Sequence, residues 1–228
     1  MLPAQRPSGD RRLLHFGDSF LRTFPYVDGF NLYYRALRNT PYKWLNLRVL
    51  IEALLRPENT LEVIRYYTAR VSGRTDPGQP KRQHAYLQAQ STVDAVTVHY
   101  GTFLSQQITR PLVNSPAGAT GYATVWDTEE KGSDVNLASH LLFDGVRGLY
   151  DVAVVVSKDT DLLEPIRIVT RELRKPVGLI CPDSQLPGGF KGVVSFVRHI
   201  TERRLASAQF HDVVVARDGT LIHKPPTW

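Results

Sequence analysis

One cysteine, Cys181, stands in 228 residues. That excludes an intramolecular disulfide and any cysteine-rich zinc site. Placed before Pro182 at the end of an apolar run, the thiol reads as a buried structural group. Long apolar runs are also missing: they are strand-sized, such as Val152–Val156, against the ~20 residues that span a bilayer. The first residues include Pro3, Pro7, Gly9, Arg11 and Arg12 but no apolar stretch of a secretory signal. A cytoplasmic location with no membrane partner is therefore expected. His84, His99 and His140 show no paired spacing on one face, which disfavours zinc. Neither the Gly-x-x-x-x-Gly-Lys-Ser/Thr loop nor the Gly-x-Gly-x-x-Gly fingerprint occurs, which removes the usual nucleotide-cofactor sites.

What is present is ordinary globular material: 42% hydrophobic and 22% charged residues, enough to bury a real core. The 28 Lys and Arg against 22 Asp and Glu leave a net charge of +6. The first twenty residues hold only three of the basic and two of the acidic side chains, so the body carries the excess. A basic body raises the chance of a nucleic-acid partner.

Residues 1–20 carry no periodicity and read as a flexible N-terminal arm. Residues 21–228 read as a single domain with a C-terminal extension from about 183. Thr23–Val27 predicts a short strand, with Pro25 hinting at an edge position or an early irregularity. A short helix follows over Phe30–Leu37. Asn46 is a candidate N-cap for a helix bearing Leu47, Leu50, Ile51, Leu54 and Leu55 at helical spacing. Leu61–Ala69 is β-rich, Pro80 opens a helix to about Gln90, and Val93–Tyr100 alternates as a strand. Residues 101–125 predict a hairpin or a flexible loop. Ser133 reads as the N-cap of a helix reaching Phe143, Asp151–Ser157 as the clearest buried strand, and 160–174 as a helix. Val177–Cys181 predicts the next strand, residues 202–208 a short helix, and Asp218-Gly219 a terminal hairpin. Strands alternating with helices predict an α/β layered fold with a mostly parallel central sheet flanked by helices. In such sheets ligands bind beyond the carboxyl ends of the strands.

Asp28, Asp134, Asp159 and Asp161 all fall where a strand ends or a helix begins. Alone, each reads as a turn or cap residue as readily as a functional one. Together, on parallel strands, they would gather at one sheet edge. Clustered carboxylates repel each other and raise their pKa values. Magnesium takes oxygen ligands and offsets that repulsion. It also lowers the pKa of bound water. One ion or two, Mg²⁺ or Mn²⁺, would suit the set. Asn31, Asn136, Ser157, Lys158, Lys131 and Arg70 are the candidate substrate contacts around it, each also readable as a cap or solvated side chain. Glu130 is an outer candidate, read more readily as a solvated turn glutamate. Tyr33, Tyr34 and Trp44 could stack on bases, although core packing competes for at least two of them.

Three segments in this order, VDGFNLY (27–33), EEKGSDVNLA (129–138) and VSKDTDL (156–162), resemble the NYN domain family. These are PIN-like ribonucleases that include the bacterial LabA-like group. The resemblance covers about residues 22–182, and the tail KPPTW (224–228) is similar to some bacterial members. It implies a PIN-like, Rossmann-like sheet and magnesium- or manganese-dependent cutting of RNA, with Asp28, Asp134, Asp159 and Asp161 as metal-binding catalytic acids and Asn31 beside them. One position departs from the pattern: Lys158 stands where the family usually has Gly or Asn. It could draw in phosphate or partly neutralise the acids. The leading expectation is a metal-dependent endoribonuclease whose partner is RNA, with room for a homo-oligomer or a regulatory protein partner. The competing readings are a non-catalytic RNA-binding or regulatory module and a magnesium-dependent phosphohydrolase.

Overall fold

The computed structural model describes residues 20–74, 76–114 and 121–228. The flexible arm expected over 1–20 lies almost wholly outside them. In chain order the elements begin with β1 (Leu21–Asp28), α1 (Gly29–Leu32), a π-helical turn (Tyr33–Leu37) and α2 (Leu47–Glu52). Next come β2 (Asn59–Leu61), β3 (Ile64–Thr68), α3 (Gln79–Ser91), β4 (Val96–Tyr100), β5 (Thr102–Pro111) and β6 (Tyr122–Lys131). The second half holds α4 (Ser133–Val146), β7 (Val152–Val156), a 3₁₀ turn (Thr160–Leu162), α5 (Leu163–Arg171) and β8 (Val177–Cys181). After a second 3₁₀ turn (Gly188–Phe190) come β9 (Phe196–His199), α6 (Glu202–Ser207), β10 (Val213–Val215) and β11 (Leu221–His223).

Among the described residues seven strands make one sheet in the order β4-β3-β1-β7-β8-β9, with β2 beside the start of β1. Every pairing in it is parallel. The expected α/β layered architecture is therefore the observed one. Strands of such a sheet are covered on both faces and so carry continuous apolar runs. β7 and β8 are buried at every residue. The pleat sorts their side chains into two cores. Val152, Val154 and Val156 meet Leu50, Ile51 and Leu87 of α2 and α3 on one face. Ala153 and Val155 meet Leu137, Leu141, Ile166 and Val169 of α4 and α5 on the other. From β1 the chain builds outward through β3 and β4, then returns to lay β7, β8 and β9 on the opposite side. The carboxyl ends of β1 and β7 thus flank the switch point, the crevice where α/β sheets bind ligands.

Several expectations are corrected. Pro25 is not on an edge: β1 is central, and Pro25 pairs in register with Val154. The Leu21 N–H donates toward β2, to the Glu58 carbonyl, so alternation along β1 turns residues 21, 23, 25 and 27 to that side. β2 pairs with residues 21–23 and β3 with 26–28. The N–H that proline lacks therefore falls in the gap between two partner strands, where no ladder bond is lost. The N-cap of α4 is Gly132 at φ 96°, not Ser133, and the helix runs on to Val146. The helix expected over 160–174 divides into a 3₁₀ turn and α5. It ends early because Arg174 turns left-handed (φ 55°) and the Lys175 N–H donates back to the Val169 carbonyl. β5 and β6 pair antiparallel over ten residues each, outside the main sheet. β9 was not anticipated. Among the described residues no helix is long and apolar enough to cross a membrane.

Candidate functional site

Asp28 is the last residue of β1 and the N-cap of α1. One carboxylate oxygen accepts from the Asn31 N–H at 2.9 Å and the other from the Ser157 hydroxyl at 2.9 Å. Only 5% of the residue is exposed. Burial pushes its carboxyl up, the Asn31, Ser157 and Phe30 hydrogen bonds pull it down, and Asp159 raises it further. The helix can start this close to β3 only because residue 29 is glycine. A Cβ there would stand 2.6 Å from the Tyr67 carbonyl oxygen and 2.7 Å from the Tyr66 ring.

Ser157 and Asn31 tie the ends of β1 and β7 together. The Ser157 hydroxyl accepts from the Asp159 N–H at 3.0 Å, and the Asn31 side-chain oxygen accepts from the Lys158 N–H at 3.0 Å. Asp159 in turn caps the 3₁₀ turn, accepting from the Asp161 N–H at 2.9 Å. Asp134 enters from a third segment, the first turn of α4. It is half-buried, and its carboxyl is pushed up to about 6, first by burial and then by Asp28, Asp159, Glu130 and Asp161.

Asp28, Asp134 and Asp159 line one open cavity of about 570 Å³ with Asn31 and Glu130. The facing wall is Phe30, Tyr34, Phe103 and Arg35. Phe30 stacks on Tyr34 at 6.4 Å and meets Phe103 edge-on at 5.4 Å. Asp161 is exposed and does not line the cavity, although its charge reaches Asp134. Glu130 lies in β6 and accepts from the Ser133 N–H at 3.0 Å, so it is no turn residue. Lys158 is turned aside: its ammonium donates to both oxygens of Asp183, at 2.7 and 2.9 Å. Asn136, Lys131 and Arg70 do not line the cavity either. Lys131 pairs with Glu129, and the Arg70 guanidinium lies 5.1 Å from the centre of the Tyr100 ring. Trp44 is core, its indole N–H donating to the His211 carbonyl at 2.8 Å.

Sequence reasoning missed Arg35, Phe103 and Asp183. The first two stand on α1's continuation and on the hairpin, and only the fold brings them together. Among the described residues no three Asp, Glu, His or Cys side chains are placed closely enough to hold a metal ion as they stand. In donor chemistry the set fits a hard divalent cation, being all oxygen. The Asp134 carboxyl is raised first by burial and then by its acidic neighbours, and a cation would relieve the second of these.

Beneath the site a second polar group braces α4 against the sheet. Asp144, 2% exposed, accepts from the Tyr26 hydroxyl at 2.8 Å and from the Arg65 guanidinium at 2.8 and 3.1 Å. His99 and His140 stand beside it with ring centres 4.6 Å apart.

A sequence model described as the NYN domain matches residues 22–194. The chain is 30% identical over 240 aligned positions to 6-hydroxy-3-succinoylpyridine 3-monooxygenase HspA of Pseudomonas putida (strain DSM 28022 / S16), covering 91% of this chain and 75% of that protein. It is also similar to the crystal structure of a protein of unknown function from Vibrio parahaemolyticus RIMD 2210633. That likeness has a TM-score of 0.49 and 16% identity and covers 80% of this chain and 95% of the other.

Proposed function

The chain belongs to the NYN domain family, of the PIN-like nuclease superfamily, and from that membership and the acidic cavity we propose a divalent-cation-dependent endoribonuclease. The observation that carries the reading is the meeting of Asp28, Asp134 and Asp159, from three separate segments, in one cavity at the switch point of the sheet. Asp28, Asp134 and Asp159 would hold Mg²⁺ or Mn²⁺, with Glu130 and Asp161 adding negative charge behind them. A bound ion supplies an ionised water as nucleophile and charge stabilisation for the leaving oxygen. The chain's own part is positioning. Ser157 and Asn31 hold the Asp28 carboxylate and the Lys158–Asp159 backbone in place. Arg35 offers a cation for the RNA backbone, and Phe30 and Tyr34 offer ring faces for bases. With Lys158 occupied by Asp183, that lysine does not neutralise the acids, which favours catalysis over binding alone. In this reading the partner is RNA, the setting is the cytoplasm, and residues 21–228 act as one unit.

The test is cleavage of a single-stranded RNA with Mg²⁺ or Mn²⁺ by the wild type, Asp28→Asn and Asp159→Asn. Losses of about 100-fold or more are expected for both variants. Equal rates in all three would remove the proposed site.

A second reading rests on one finding, the 30% identity to a monooxygenase over 91% of this chain. That reading is oxygenation of a small aromatic acid. It predicts uptake of dioxygen and of a two-electron reductant, with one oxygen atom entering the ring and the other leaving as water. Oxygen uptake measured with pyridine and benzene carboxylates in the presence of a reduced nicotinamide as the two-electron donor decides it; no uptake with any of them would end it.

A further inference from the structure

A second cavity, of about 390 Å³, lies on the other side of the Phe30–Tyr34 wall, between the π-helical turn and α3. Phe30 and Tyr34 line both cavities. Its volume falls in the range of small-molecule sites. Six aromatic rings contribute to its walls. Tyr33 meets Tyr34 edge-on at 5.3 Å, and Tyr86 meets Trp228 edge-on at 5.3 Å. The charged lining is one-sided. Its acid, Asp76, is already bonded to Arg82. Arg38 and Lys43 are the other charged lining residues, and among the described residues neither has a carboxylate partner. Arg38 stands 5.5 Å from the centre of the Tyr34 ring. Ring faces below and two uncompensated cations beside them are complementary to a flat aromatic ring carrying an anionic group.

We propose that this cavity is a nucleotide subsite, holding the base of the nucleotide next to the cut phosphodiester against Tyr33 and Trp228 while Lys43 and Arg38 take its phosphate. The assignment rests on the nuclease reading. The shared wall argues for a nucleotide over a free aromatic acid: a strand whose phosphate lies at the acids can cross Phe30 and Tyr34 and drop its next base into the pocket. Base–aromatic contacts of this kind tolerate any sequence, so the subsite would place the strand rather than read it.

The test is a titration of the full chain with AMP and with UMP, followed by quenching of tryptophan fluorescence, because Trp228 lines the cavity. It runs without divalent ions, so its result is independent of whether RNA is cut. Saturable quenching by both nucleotides is expected, weakened about tenfold in Lys43→Ala and likewise in Arg38→Ala, with each variant's melting temperature measured to confirm folding. Wild-type binding that both variants retain in full would overturn the subsite. Quenching by benzoate or nicotinate but by neither nucleotide would overturn the RNA assignment. No quenching by any probe would overturn the pocket, even if RNA cleavage at the acids is observed. Nucleotide binding without RNA cleavage would support a nucleotide site in this cavity and overturn its place beside a cut phosphodiester, along with the nuclease reading.

Discussion

Partial burial first, and then the company of Asp28, Asp159, Glu130 and Asp161, lift the Asp134 carboxyl from the ordinary 3.8 to about 6. Between those two values the folded chain keeps a proton that the unfolded chain has released. Folding stability therefore falls as pH rises through that window, and above it the folded state carries the full cost. Discounted for a half-exposed group, that cost is about 1 kcal/mol. Asp134→Asn is thus expected to stabilise the metal-free protein by about that much at pH 7.5 and to change nothing near pH 4, while its affinity for Mn²⁺ falls. Denaturant midpoints at the two pH values check it; a variant no more stable than wild type at pH 7.5 would mean that the ionised Asp134 carboxylate carries no such cost in the fold. The places of Asp28, Asp134 and Asp159 at element ends were legible in the sequence because each belongs to a local pattern, whereas Asp161, picked out on the same ground, does not line the cavity. Lys158 was not legible: its partner Asp183 lies 25 residues on, and nothing in the spacing announces an ion pair that depends on how β7 and β8 end side by side. Arg65 and Asp144, 79 residues apart, were hidden for the same reason.

At the scale of the element, the junction of β1 and α1 sets the site. The Asp28 carboxylate is aimed by the turn it caps, and the turn fits because Gly29 has no side chain to strike β3. Gly29→Ala is expected to force α1 away from the Tyr67 carbonyl and the Tyr66 ring. It would cost about 1–3 kcal/mol and lower cleavage by moving Asp28 and Asn31 together. Urea unfolding beside a cleavage assay checks this; unchanged stability would show that the backbone yields without strain. The same scale explains which elements were readable. β7 and β8 stood out because strands covered on both faces leave continuous apolar runs. β9 did not, since its four residues, FVRH, are only half-buried at the sheet's edge and carry an arginine and a histidine. The hairpin of β5 and β6 was ambiguous because most of its residues face solvent, so its sequence lacks the alternation that one buried face imposes. Pro25 misled because the edge rule assumes one continuous neighbour, and here β2 gives way to β3 beside it.

For the molecule as a whole, a net charge of +6 surrounds a cavity whose titratable lining is mostly acidic. A polyanion approaching such a surface is attracted by the body and repelled by the cavity until a cation fills it. Binding and cutting should therefore depend on different ions. Monovalent salt competes with Lys and Arg at the phosphates, giving an affinity that falls with log[salt] at a slope of about −0.7 for each contact to a single strand. Arg35 is the cation in the acidic cavity's lining, and its 3.8 Å pairing to Asp183 is loose and half-exposed, so it is free to turn to a phosphate. Arg35→Ala is expected to reduce the salt slope of RNA binding by about 0.7 and to weaken binding evenly across sequences, because a phosphate contact carries no base information. Filter binding of two unrelated single-stranded RNAs between about 50 and 200 mM salt measures both quantities. A slope unchanged from wild type would place the RNA backbone away from Arg35, and a loss confined to one of the two RNAs would make Arg35 a reader of bases instead.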